Sequence, residues 1–505
     1  MSIINKNIVR SGLIFFYVFI IAIIILGVSS LYSYLNTGAD RSTMLHSEQI
    51  QERYYLPIMQ WDTTAVKGRE LDATTLKAIE EDYLNAWYVR ASALKNNTLT
   101  GIKDYYTTNA AEKITALINY NLSNDISIEM TSLEHHPKVE FFSEDGQLAV
   151  LTDVDVLEHE QVYKEGAFLN KSSSYSTYKV VLLLEDGYWR IRQLVKQSSH
   201  EKLRETPFVA LNYDLKGINY YPKNSPWNTF GSAFQQDTIA TDFKIIKDAG
   251  LNSIRVFVNY EDFGKEHVSL EKLEKLSALM DEAATANLKV LVTLFDFYGN
   301  YSVNDWTMTQ QHAVSIVDCI KNHEALLGWD LKNEPNLDYD SRGKEIVESW
   351  LEHMAYRIKT LDDKHPVTIG WSNTKSATAL QDKLDFISFH YYEPLEKLDA
   401  DLTSLKKKVG EKELVLTEFG LSSYSGFWNM LGSSDQTQEA YHKEAQKLLT
   451  KNELPFMSWT LYDFESVPEE VTGTYPWRRN PQKQYGFLDS RGKKKPSFKY
   501  ISKPR

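Results

Sequence analysis

Cysteine is nearly absent from the 505-residue sequence. Cys319 is the only one, so no intrachain disulfide and no thiolate metal cluster can form, and stability rests on packing. It lies in AVSIVDCI (residues 313–320), an apolar helical pattern that predicts an inert core thiol. A basic surplus is missing too. The formal net charge of −12 disfavours nucleic acid as a partner, because neutralising phosphates takes a basic surface. No second histidine stands at ligand spacing from His390, so neither a metal nor a cofactor is expected. What is present is 42% hydrophobic and 12% aromatic residues, enough for large cores, on a length that suggests two or three domains.

Charge is also lacking between Arg10 and Asp40, and residues 12–35 are almost uninterrupted hydrophobic sequence. About 20 apolar residues cross a bilayer, so this run predicts one N-terminal transmembrane helix. Lys6 and Arg10 precede it, which puts residues 1–11 in the cytoplasm and everything after Asp40 outside. The competing reading is a signal peptide cleaved near Val28, Ser29 and Ser30. The apolar run continues through Leu31, Tyr32 and Leu35, which favours an uncleaved anchor at the cell membrane. On either reading the remainder is exported, to a periplasm or the cell surface.

Residues 36–73 read as a polar stalk. From residue 74 the pattern is helical, with Leu76, Ile79, Tyr83, Trp87 and Leu94 on one face and a second piece around Tyr105, Tyr106, Ile114, Leu117 and Ile118. Then the period becomes two. Residues 139–163 turn at Glu144-Asp145-Gly146 and alternate through Val150, Thr152, Val154 and Val156, and residues 174–196 repeat the plan around Glu185-Asp186-Gly187. Helices followed by a bent antiparallel sheet make an α+β domain over residues 74–197. Its order, and its closing EDGYWRIRQL (residues 185–194), resembles the nuclear-transport-factor-2-like cone fold. That resemblance implies a spacer, a docking module or a weak ligand binder, since the fold alone confers no activity, and it leaves any protein partner open. His135 and His136, beside Pro137, read as an exposed loop, and residues 198–207 as a linker.

Residues 208–505 alternate short β-rich runs with amphipathic helices. Strand candidates begin at residues 215, 252, 288, 326, 367, 386, 413 and 455. The intervening helices include TIATDFKIIKDAG, closed by Gly250, and a longer one opened by Ser269 as N-cap. Eight such units over residues 216–464 occupy close to the ~250 residues of a closed (β/α)8 barrel, an α/β TIM barrel. A doubly wound open sheet fits less well, because KGINYYP (residues 216–222) has no glycine-rich phosphate turn. The C-terminal strand ends carry the active site of such barrels. Here they present Tyr220, Tyr221, Arg255, Asp296, Asn333, Glu334, Trp371, His390, Tyr392, Glu418 and Trp459, the donors, acceptors and flat faces of a sugar site. Asp296 either binds substrate or caps a loop.

Two stretches carry chemistry: WDLKNEP (residues 329–335) and LTEFG (residues 416–420), each ending a strand on a glutamate. Retaining cleavage of a glycoside needs an acid and a carboxylate nucleophile about 5–5.5 Å apart, which strands four and seven of one barrel can supply. Together the stretches resemble the signature of clan A glycoside hydrolases, and the chain is most similar to family 5, the cellulase and mannanase family, from KGINYYP to GFLDSRGKKKPSF (residues 486–498). The resemblance implies Glu334 as acid/base, Glu418 as nucleophile and Asn333 on the sugar 2-hydroxyl. It also implies that Arg255 and Tyr392 orient the nucleophile, that His390 lines the subsite and that Trp459 lies beneath the sugar. Two loops add candidates. Residues 298–307 bring Tyr301 and Trp306 as sugar platforms, and residues 465–486 bring Trp477, Arg478 and Arg479, suited to an acidic glycan or simply solvated. The expected function is a membrane-anchored, extracytoplasmic retaining β-glycosidase acting on a polysaccharide. The alternatives are a transglycosylase on the same residues, or a non-catalytic glycan-binding scaffold of a polysaccharide export system.

Overall fold

A computed structural model describes residues 16–17, 19–28, 55–201, 205–426 and 433–503. Residues 19–28 are helical, and Phe19, Ile21, Ile24 and Leu26 on them are each more than half exposed. Among the described residues no helix is long and apolar enough to cross a membrane. The cytoplasmic end, both flanks of the 12–35 run and the first half of the expected stalk lie outside the described residues.

The first globular unit packs helices Ala73–Asn96, Ile102–Tyr105 and Thr108–Ser123 against a seven-stranded sheet. Asp72 caps the first helix by accepting from the backbone of Thr74 and Thr75, and Ile79, Tyr83, Trp87 and Leu94 turn its apolar face to the sheet. The long strands are β3 (Ile126–His135), β4 (Pro137–Phe142), β5 (Leu148–Lys164), β6 (Ala167–Glu185) and β7 (Tyr188–His200), all antiparallel to their neighbours. Two further strands, β1 (Ile58–Met59) and β2 (Lys67–Gly68), pair in parallel with β3 and β4, so residues expected in a stalk belong to this sheet. At two residues each they are too short for any alternation to register in sequence.

His135 is not in an exposed loop. It ends β3 fully buried, with Nδ1 2.6 Å from Asp153 Oδ2 and Nε2 2.9 Å from Ser132 Oγ, while Tyr83 donates to the same Asp153 oxygen. A buried polar group must find partners, and Asp153 on β5 and Ser132 on β3 itself provide them.

Eight parallel strands close the second unit: β8 (Lys216–Asn219), β9 (Ser253–Asn259), β10 (Lys289–Asp296), β11 (Leu326–Asn333), β12 (Val367–Trp371), β13 (Ile387–Tyr391), β14 (Leu414–Phe419) and β15 (Phe456–Ser458). This is a (β/α)8 barrel. Its lower interior is plugged by Leu215, Leu291, Leu327, Phe386, Val415 and Met457, under a cover from Leu211. Polar side chains occupy the layers above. Gly250, at φ 87°, follows the helix Gln236–Asp248, and Ser269 stands at the N-cap of Leu270–Thr285 without a side-chain cap bond.

Cys319 is exposed, 3.3 Å from Ser277 Oγ, rather than in the core. In the helix Trp306–Ile320 the buried face is set by Ile316, Val317 and Ile320, and Cys319 falls just outside that arc.

The two units share a core. Leu133, Leu157 and Tyr175 of the first sheet join the barrel's hydrophobic cluster. Arg357 pairs with Glu134 at 2.6 Å, Gln310 donates to the Leu133 carbonyl at 3.0 Å, and the hydroxyls of Tyr175 and Tyr356 meet at 2.5 Å. Trp306 and Tyr301 lie 0% and 1% exposed and offer no platform to a sugar, Trp306 because of this docking and Tyr301 because Tyr298, Trp350 and Asp338 of the barrel surround it. Trp306 stacks on His159 of β5 at 4.0 Å, and the Tyr301 hydroxyl donates to Asp338.

Candidate active site

Irregular pairing near the C-terminal ends of β10, β11 and β13 re-aims the residues that follow. The ladder between β11 and β12 shifts between Asp330 and Asn333, and the one between β13 and β14 shifts so that His390 sits directly beside Glu418. Glu334 follows with φ 49° and ψ 47°, left-handed backbone that costs a non-glycine residue roughly 1–2 kcal/mol. Its N–H donates to the Gly370 carbonyl at 2.7 Å and Pro335 ends the strand, which fixes the side chain over the barrel mouth.

Arg255 is the hub. Fully buried, it donates to Asp330 Oδ2 through Nε (2.9 Å) and Nη2 (2.5 Å), to Asn219 Oδ1 (3.1 Å), to Asn333 Oδ1 (3.0 Å) and to Glu418 Oε2 (3.4 Å). Burial works against its charge, but the carboxylates of Asp330 and Glu418 outweigh burial and raise its pKa. Asp330 is held in turn by Thr293 Oγ1 and the Gly370 N–H, both at 2.8 Å. Gly370 has no room for a side chain: a Cβ there would stand 2.6 Å from Arg255 Nη2 and 3.2 Å from His390 Nε2.

The two glutamates are served differently. Glu418, 8% exposed, accepts from Arg255 on one oxygen and from the Tyr392 hydroxyl on the other at 2.8 Å. Glu334 has His390 Nδ1 at 2.8 Å from Oε1, and that nitrogen is also 3.8 Å from Glu418 Oε2. One oxygen from each glutamate and an imidazole nitrogen of His390 lie within 4.8 Å of one another. Two carboxylates and an imidazole at that spacing suit a cation as well, yet each is already engaged by the donors just named.

Aromatic rings line one side. Tyr221 stacks on Phe257 (5.0 Å) and on Trp227 (5.2 Å), and Trp459 packs nearly perpendicular to Tyr221 at 6.0 Å. Trp371 and Tyr221 are 0% and 2% exposed, so the structure places them behind the surface of the cleft, and Asp296 accepts from the Tyr221 hydroxyl at 3.5 Å. Trp459 is 4% exposed, and its Nε1 is buried without a partner. Tyr392 keeps its ring 45% exposed, while burial of the hydroxyl end, then the charge of Glu418, push its pKa far above the usual phenol value.

Sequence reasoning missed Asn219, Asp330, Trp227 and Tyr485. Asp330 and Asn219 each had a signal, a polar residue inside an otherwise apolar strand. Tyr485 had none. It comes from the loop of residues 465–486, which folds into short helices Glu469–Thr472 and Pro476–Gln482 and is tied down by Ser422 Oγ donating to the Pro481 carbonyl at 2.7 Å. Its ring meets Tyr392 edge-on at 6.2 Å, and burial, then Glu418, push its pKa up to about 12. On the same loop Trp477 stacks on Tyr475 at 4.6 Å, and Arg479 reaches Glu469 at 4.0 Å.

A model of the cellulase family, glycosyl hydrolase family 5, matches residues 213–465, half of the chain. The chain belongs to glycosyl hydrolase family 5. The matched residues are those of the (β/α)8 barrel. It is 24% identical over 424 residues to the β-glucuronidase of Homo sapiens, covering 78% of this chain and 61% of that protein. It is 27% identical over 229 residues to mannan endo-1,4-β-mannosidase 3 of Arabidopsis thaliana, covering 35% and 51%. This family 5 chain thus spans between half and about three-fifths of the length of those relatives. An exo-β-1,4-mannosidase from Opitutaceae bacterium strain TAV5 superposes with a TM-score of 0.46 at 17% identity, covering 59% of each chain.

Proposed function

We propose that this family 5 enzyme cleaves a β-linked polysaccharide with retention of anomeric configuration, with Glu334 as acid/base and Glu418 as nucleophile. The observation that carries the reading is the pair of carboxylates with one oxygen of each within 4.8 Å, close to the spacing of about 5–5.5 Å in retaining enzymes and short of the roughly 6.5–9.5 Å of inverting ones. Glu418 attacks the anomeric carbon, and Glu334 gives its proton to the leaving oxygen. Arg255 and Tyr392 hold the nucleophile aimed. His390 fixes the rotamer of Glu334, and Asn333, itself steadied by Arg255, faces the sugar 2-hydroxyl. Glu334 then takes a proton from water, or from a sugar hydroxyl in a transglycosylating variant, and the glycosyl ester on Glu418 is released.

The apolar run of residues 12–35 supports tethering to the outer face of a membrane, so that the cleft meets an exported glycan. Membrane fractionation of the full chain tests this: carbonate-resistant membrane association is expected, and release into the soluble fraction contradicts it. Among the relatives are mannan endo-1,4-β-mannosidases, which makes β-mannan the first substrate to try. Proton NMR of the first product formed is expected to show the β-anomer before mutarotation, whereas an α-anomer at the start would refute retention.

A further inference from the structure

Away from the barrel mouth, a cleft of about 670 Å³ lies where β5 and β6 face the flank of the helix Lys344–Leu361. That volume falls within the roughly 300–1,000 Å³ of ligand pockets. Three features mark it as more than a seam. Its floor contains His353, only 6% exposed, whose Nε2 is buried with no hydrogen-bond partner among the described residues. The ring stacks on Trp306 at 4.9 Å, which holds it flat in that floor. Burial pushes this imidazole down to about 3, so it brings no charge to the cleft.

The second feature is an aromatic face. Phe208 lines the cleft at 63% exposure, with the Lys412 ammonium 5.2 Å over its ring. The third is charge balance. Among the described residues four lysines and four carboxylates line the cleft, and Glu352 is shared between Lys171 (2.9 Å) and Lys383 (3.1 Å). Among these residues the charges balance. What remains is a dense set of charge-assisted hydrogen-bonding groups, with hydroxyls of Ser172, Ser173 and Ser349 among them. A neutral ligand rich in hydroxyls, with a flat C–H face for one aromatic ring, fits this lining.

We propose that the cleft is a second carbohydrate-binding site, which holds a neutral stretch of glycan on the flank of the barrel; the proposal rests on the reading of the enzyme as one that acts on a polysaccharide. Both units contribute to it. The first unit therefore does more than separate the barrel from its attachment, since it builds one wall of the site.

Isothermal titration of the full chain carrying Glu418→Ala, with mannohexaose and with cellohexaose, tests this directly. Two binding events per chain are expected with at least one of the two sugars. Adding Phe208→Ala should weaken one event about tenfold and leave the other unchanged. Ser172→Trp, which fills the cleft from an exposed position, should abolish the same event. In the otherwise native chain neither change should alter turnover of a small aryl glycoside. A single binding event, no binding, or two events indifferent to both substitutions overturns the second site while leaving catalysis standing. Failure of the native chain to cleave any glycan strikes the functional reading itself.

Discussion

Gly370 bears on the site as much as the glutamates do. It has neither charge nor side chain, yet its missing Cβ is the space through which Arg255 reaches Asp330. Replacing it with alanine brings an atom to 2.6 Å from Arg255 Nη2, and that guanidinium is fixed by Asp330, Asn219 and Asn333. Displacing it moves the support of Glu418, and a misplacement near 1 Å costs roughly 10²-fold. Gly370→Ala is therefore expected to lower kcat about 10²-fold with KM little changed, a split that steady-state kinetics reads; native kcat would contradict the role given to Arg255. The glutamates themselves were legible because a carboxylate ending an apolar strand before proline or glycine is conspicuous. Gly370 was not, because a glycine within a strand declares nothing about which side chains pass over it. Trp306 and Tyr301 misled for a related reason: an aromatic residue in a barrel-top loop looks available until another unit covers it, as with Trp306, or the loop folds it inward, as with Tyr301.

Among the elements, the barrel strands could be read because both faces of a parallel strand are buried and the runs are continuously apolar. The two-residue β1 and β2 could not, and neither could the docking of the first sheet on the barrel. Helical periodicity reports which face of a helix is apolar, not which neighbour covers it, and the outward placement of Cys319 shows how a single position at the margin escapes. The docking makes its own prediction. Glu134 and Arg357 meet at 2.6 Å with side chains 17% and 11% exposed, across the seam between the two units. A double-mutant cycle on their alanine variants should give a coupling of about 1 kcal/mol in thermal unfolding. Zero coupling would mean that the two units do not unfold as neighbours.

For the whole molecule, buried histidines set the response to acid. Burial holds His312 at about 4, His353 and His442 at about 3, and His159 well below the ordinary imidazole value. These groups are neutral in the folded protein but take up protons near 6.5 when unfolded, so their contribution is complete above pH 6.5 and is lost as pH falls toward their folded values. At pH 5 His312, His353 and His442 each lower stability by about 2 kcal/mol relative to neutral pH. Asp463 acts the other way, because burial raises it to about 6 despite Lys495, so its contribution is lost as pH rises through 6. Burial raises Asp82, Asp242 and Glu413 as well, but the histidine shifts are larger and prevail. Thermal unfolding is expected to show a Tm several degrees lower at pH 5 than at pH 7, and an unchanged or higher Tm at pH 5 would contradict it.

The central claim is that Glu418 attacks the sugar and Glu334 does not. Incubating the full chain with a 2-deoxy-2-fluoro-β-mannosyl fluoride, which slows release of the glycosyl ester, and mapping the labelled peptide by mass spectrometry tests that claim most directly. The account predicts stoichiometric inactivation with one sugar on Glu418. Label on Glu334, label on another residue, or turnover with no covalent sugar would contradict it.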